Sequence, residues 1–281
     1  MRSLLLLGLV ACSTPEGPAA TGLQRGPEGN TAAPQRIVSL APAASEILLE
    51  LAPERLIGVD SASRSLPGVG DRADVGFARR LSAEGILSLA PDLVVVHEET
   101  GSQAALDVIR QAGVAVTVLP HDKSVDGVRV LIDEVAALVD ADPKPLRERF
   151  DATCTGIEPL AEPTTGLFVY SRGAGTLQVS GVDTSAHAMF ELAGIENAVT
   201  GYDGYKPLTA EAALQADPDW IVFTTRGLEA LGGPAQVAGI PGLGQVEAAV
   251  EQRVTTVDDF RLLAFGLGTC EGASELRAGI D

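Results

Sequence analysis

The chain has 281 residues, 46% of them hydrophobic and 4% aromatic, enough apolar material for one large or two modest cores. A formal charge of −18 excludes the basic face that a nucleic-acid partner calls for. No apolar run reaches the ~18–20 residues that a membrane span needs.

Residues 1–12 read as an export signal: Arg2 supplies one positive charge, a short apolar core follows, and Leu9-Val10-Ala11-Cys12 resembles a bacterial lipobox. Acylation of Cys12 would hold the mature protein to a bilayer surface, on the periplasmic or cell-surface side, without crossing it. Residues 13–35, rich in Pro, Gly, Ala and Thr, form a flexible leash. With Cys12 acylated, Cys154 and Cys270 remain in an oxidising compartment. Two separately buried thiols are the default reading, and a disulfide is the alternative.

From residue 36 to residue 123 the elements alternate. Strands are expected at 36–40, 56–59, 93–96 and 114–119, with helices between them, so this stretch predicts an α/β lobe with a mainly parallel sheet. The first helix is expected from Ser45, after a turn at 41–45, and residues 60–73 read as a polar loop. Residues 124–163 are helical with interruptions at Pro143 and Pro145, and read as a rigid connector. A second α/β lobe, residues 164–281, is expected to carry strands at 166–170, 177–180, 220–223 and 253–257, with 201–207 as a loop.

One stretch occurs twice. Residues 81–96 read LSAEGILSLAPDLVVV and residues 208–223 read LTAEAALQADPDWIVF. In each copy a hydroxyl residue (Ser82 or Thr209) can cap a helix, and a carboxylate (Glu84 or Glu211) suits its first turn. A proline (Pro91 or Pro218) then ends the helix before an apolar, β-rich run. Each copy is a short helix feeding a buried strand, and the pair predicts two lobes of similar build.

These features together resemble the substrate-binding proteins of ATP-binding-cassette importers, in the subgroup with a helical backbone between lobes that serves haem, cobalamin and iron-siderophore uptake. The segments 81–89, 204–208, 226–233 and 258–266 resemble the haem-binding branch. The fold implied is two similar α/β lobes joined by a long backbone helix, like class III periplasmic binding proteins. The function implied is binding of haem b (hemin) as transported ligand in the cleft between the lobes, by a monomer, for delivery to a permease and its ATPase. No enzyme motif competes: Gly-x-Ser-x-Gly, a Walker-type Lys and Gly-x-Gly-x-x-Gly in strand–helix context are all missing.

One departure bears on the ligand. Where the branch usually carries a Tyr that binds haem iron, this chain has Phe77, which can stack on a porphyrin but cannot ligate. An iron-siderophore or cobalamin is therefore the alternative ligand. The replacement iron ligand is sought among His97, His121 and His187, which all follow strands, and His187 is the first choice. A three-His metal site is the weaker reading, because no i, i+4 pair occurs. Arg79, Arg172, Lys206 and Arg226 are the cations expected to meet the propionates, and Tyr202 could stack or ligate. Glu84 and Glu211, one per lobe, resemble the acidic pair that docks on the permease.

Overall fold

The computed structural model describes residues 32–157, 160, 162–171 and 177–280. The lipobox with Cys12 and the candidate Arg172 lie outside these residues.

The first strand, β1 (Ile37–Ser39), is buried on both faces, as an apolar strand in the middle of a parallel sheet must be. The helix α1 (Pro42–Leu51) begins at the proline itself, earlier than the apolar periodicity predicts. Proline fits the first helical turn because its missing N–H has no partner there and its φ is already helical. The lobe continues with β2 (Leu56–Val59), β3 (Ala73–Asp74), α2 (Ala83–Ser88), β4 (Leu93–His97), α3 (Gln103–Gln111) and β5 (Ala115–Leu119). Its strands are parallel in the order β3-β2-β1-β4-β5. The winding reverses between β1 and β4, and ligands of open α/β sheets bind beyond the strand ends at such a reversal.

The connector is two helices. In α4 (Val125–Val139) the residues Val128, Leu131, Ile132, Val135 and Val139 form the buried stripe that their spacing predicts. Asp140 ends it in the left-handed conformation, and α5 (Lys144–Thr153) starts after Pro143.

The second lobe holds β6 (Thr165–Tyr170), β7 (Gln178–Ser180), α6 (Ser185–Ala193), β8 (Glu196–Asn197), β9 (Tyr205–Pro207), α7 (Ala210–Ala216) and β10 (Trp220–Thr224). It closes with α8 (Thr225–Ala230), α9 (Glu247–Val250), β11 (Val254–Val257), α10 (Asp259–Ala264) and α11 (Thr269–Ala278). The sheet order is β11-β10-β6-β7-β9, with β8 beside β6. This sheet is mixed, since β7 runs antiparallel to both β6 and β9. Residues 205–207 thus form an edge strand where a loop is expected; Lys206 and Pro207 on it are exposed, as edge residues often are.

The two repeat copies are built alike. Ser82 Oγ accepts from Gly85 N–H and Thr209 Oγ1 accepts from Ala212 N–H, each at 3.2 Å, so both hydroxyls cap their helices. The Pro-Asp pair has a role that its spacing does not reveal. Asp92 accepts hydrogen bonds from Gln35 N–H and Arg36 N–H, at 2.8 and 3.0 Å, fixing the entry to β1. Asp219 accepts from Thr165 N–H and Thr165 Oγ1, both at 2.8 Å, fixing the entry to β6. Each carboxylate ties the strand that follows its own helix to the first strand of its lobe.

One continuous apolar cluster crosses from lobe to lobe. It takes in Ile47 and Leu48 of α1, Leu131 and Ile132 of α4, Phe150 of α5, Phe190 of α6, Phe265, and Leu276 of α11, all essentially buried. Cys154, closing α5, and Cys270, in the first turn of α11, are joined as a disulfide with Cα atoms 4.9 Å apart. The default expectation of two separate thiols is corrected here: packing α5 against α11 brings residues 116 positions apart within disulfide reach.

Candidate functional site

A cleft of about 1030 Å³ opens between the lobes at the carboxyl ends of both sheets. From the first lobe come the start of α1, the turn after β2, the 77–80 turn, His97 at the end of β4, Glu99, Leu119 at the end of β5, and Pro120, His121 and Lys123 after it. From the second come Tyr170 at the end of β6, Asp183 to Ser185 entering α6, Tyr205, Arg226 in α8, and residues of α10. The volume is at the upper end of the range for small-molecule and cofactor sites.

The rim is aromatic and cationic. Phe77 is 60% exposed, and large apolar groups left in water at a cleft mouth offer a stacking face. Arg79 and Arg80, which follow it in the chain, and Arg226 of the second lobe are exposed residues of the same lining. Arg80 is a rim cation beyond the expected set, placed by the turn whose Arg80 N–H donates to Phe77 C=O at 2.8 Å.

Two of the three histidines meet. His97 and His121 have ring centroids 5.1 Å apart on the first-lobe wall. Burial, and then the neighbouring His121, push the His97 pKa down to about 4, so its ring is neutral at physiological pH. His97 Nδ1 accepts a 3.1 Å hydrogen bond from Glu99 N–H. His121 Nε2 lies 3.2 Å from Ala264 C=O, and its Nδ1 is buried with no hydrogen-bond partner among the described residues. Glu99 Oε1 accepts from Lys123 Nζ at 2.9 Å and sits 3.9 Å from His121 Nδ1. Burial works against the Glu99 carboxylate, but the Lys123 hydrogen bond and charge hold its pKa below the ordinary value.

The second-lobe wall carries phenols. Tyr170 and Tyr205 have ring centroids 5.8 Å apart, and both line the cleft. Burial, and then Tyr170, push the Tyr205 pKa up to about 12 against the pull of Thr184 and Ser180. Tyr170 falls at the end of a strand, the same signal that singles out His97, and could have been found that way.

His187 does not line this cleft. It borders a shallower depression shared with His121, Lys123 and Asp183, where its Nε2 faces Glu191 at 3.7 Å and its Nδ1 faces Asn197 at 3.4 Å. The first turn of α6 directs it there, so His187, the first-choice iron ligand by sequence, stands outside the cleft lining. Tyr202 and Lys206 also stand outside the cleft lining. Tyr202 donates to Val179 C=O at 3.1 Å and packs so closely on Gly181 that a Cβ there would meet its ring at 2.7 Å. Lys206 lies 4.2 Å above the Tyr202 ring. Through these contacts the pair ties the approach to β9 to β7. Glu84 and Glu211 are exposed, each in the first turn of its repeat helix.

A family model described as periplasmic binding protein matches residues 37–259. The chain is 33% identical to the periplasmic heme-binding protein BhuT, solved in complex with two hemes, with a TM-score of 0.81 over 87% of this chain and 97% of that one. It is 32% identical to the periplasmic heme-binding protein RhuT from Roseiflexus sp. RS-1, with a TM-score of 0.78 over 88% of this chain and 97% of that one. It is also 27% identical to YvrC of Bacillus subtilis, an ABC transporter substrate-binding lipoprotein, over 88% of this chain and 80% of the relative.

Proposed function

The chain belongs to the periplasmic binding protein family, and on that footing we propose that it is an extracytoplasmic binding protein that captures haem and hands it to the permease and ATPase of an ABC importer. Acylated Cys12 anchors it to the membrane surface, and its role is to bind and release, without catalysis. The observation that carries the reading is the cleft itself: imidazoles on one wall, phenols on the other, and an aromatic, arginine-bearing rim.

Each part answers to a part of the ligand. Phe77 stacks on the porphyrin face, and Arg79, Arg80 and Arg226 meet the propionates through charge-assisted hydrogen bonds. Ferric iron is a hard cation, and phenolate is one of the donors that hold haem iron in proteins. The phenols of Tyr170 and Tyr205 therefore take the role that a Tyr at position 77 would have filled. Burial keeps Tyr205 protonated without a ligand; iron at the oxygen supplies the positive charge that offsets this.

The test is a hemin titration of the mature protein, followed by Soret absorbance, beside Tyr170→Phe, Tyr205→Phe, His97→Ala, His121→Ala and His187→Ala. Saturable binding with a band altered in a Tyr variant and unchanged in His187→Ala is the expected result. Absence of saturable binding would turn the assignment to ferric siderophores or cobalamin.

A further inference from the structure

We propose that His97, Glu99 and His121 form a binding site for a first-row divalent cation of the zinc class on the first-lobe wall of the cleft. All three side chains line the wall of the same cleft, and the site stands on their own geometry, independent of the proposed haem binding. One nitrogen of each imidazole and a carboxylate oxygen of Glu99 lie within 4.8 Å of one another. Two imidazoles and a carboxylate form one of the three-ligand sets that hold zinc with a fourth position open, here toward the cleft.

The second observation is His121 itself. Its Nε2 is 3.2 Å from the Ala264 carbonyl, which can only accept, so Nε2 carries the hydrogen. In the neutral ring Nδ1 is then a bare lone pair, buried and without a hydrogen-bond partner among the described residues. A buried acceptor left unmatched is costly, and a cation 2.0–2.1 Å away is the partner that fits it. The Ala264 carbonyl plays the orienting part that a second hydrogen bond plays for most metal-bound histidines.

The remaining groups can rearrange to complete the set. Lys123 bridges Glu99 at 2.9 Å and Asp183 at 3.9 Å, so moving fully to Asp183 frees the Glu99 carboxylate. His97 must give up its hydrogen bond from Glu99 N–H, because a neutral imidazole has a single lone pair. Bringing the three donors to zinc distance needs an inward shift of roughly 1–1.5 Å, within reach of side-chain rotation.

The experiment is a titration of the haem-free mature protein with Co²⁺, read by visible d–d absorption and by calorimetry, then displacement by Zn²⁺. Saturable one-to-one binding is expected, weakened at least about tenfold in His121→Ala and in Glu99→Gln. Glu99 is half-exposed, so its variant keeps the test usable if His121→Ala does not fold. Lys123→Met is expected to tighten the cation several-fold, a change that general loss of structure would not produce. No saturable binding, affinity unchanged from the parent protein in both His121→Ala and Glu99→Gln, or weaker binding in Lys123→Met would overturn the site, whatever the hemin titration shows.

Discussion

The carboxylate of Glu46, in α1 of the first lobe, accepts a 2.6 Å hydrogen bond from the backbone N–H of Leu267, 221 residues later in the second lobe. Burial is the largest influence on this carboxyl and, despite the Leu267 N–H pulling downward, raises its pKa from 4.5 to about 7. Between those values the folded protein holds a proton that the unfolded chain has lost. The group's contribution to stability is therefore complete below pH 4.5 and is lost as pH rises through about 7. In Glu46→Gln the acceptor oxygen remains and the titration is gone. From about pH 5 to about pH 8 the native protein should lose roughly 2–3 kcal/mol relative to the variant. Parallel denaturation curves for the two proteins across that range would refute the assignment.

The bond between Cys154 and Cys270 closes a loop of 116 residues that includes most of the second lobe. Restricting the unfolded chain in this way contributes about 2–4 kcal/mol. Reduction should lower Tm by roughly 5–15 °C, with both thiols then open to alkylation. An unchanged Tm in protein shown by mass to be fully reduced would remove the disulfide from the stability account.

Arg79 and Arg226 approach the cleft mouth from opposite lobes. If they meet propionates, Arg79→Ala and Arg226→Ala should each weaken hemin by about tenfold, the value of one partly exposed charge-assisted bond. Neither change should matter for a haem whose propionates are esterified. Equal losses for both ligands would mean that the arginines shape the rim without contacting carboxylates.

Glu84 and Glu211 are exposed at matching places in the two repeats, away from the cleft lining. The double variant Glu84→Arg with Glu211→Arg should bind hemin with unchanged affinity and fail to support uptake in cells. Normal uptake would leave the two carboxylates with only their helix-dipole role, a few tenths of a kcal/mol each.

What could be read from sequence is what local chemistry decides. The caps at Ser82 and Thr209, the helix stops at Pro91 and Pro218 and the buried stripe of α4 all follow from residue type and spacing. Strand partners do not. Nothing local says that β7 runs antiparallel to β6, or that 205–207 is an edge strand, because period and propensity describe one strand and not its neighbour. The site shows the same division. That His97 and His121 follow strands placed them at the cleft, whereas His187, which also follows one, is turned aside by the helix it begins. Glu99 joined the histidines only through the fold, and Tyr170 went unmarked because a single Tyr at a strand end looks like packing.

The apolar cluster shared by α1, α4, α5, α6 and α11 has a consequence for signalling. Opening the lobes widely would expose that cluster to water, so a large swing between empty and loaded forms is disfavoured. If Glu84 and Glu211 are the docking pair, a permease cannot then tell the two forms apart by their separation. On the ligand roles proposed above, the message that a ligand is aboard would be carried by what the ligand itself covers: the arginines and Phe77 that line the cleft.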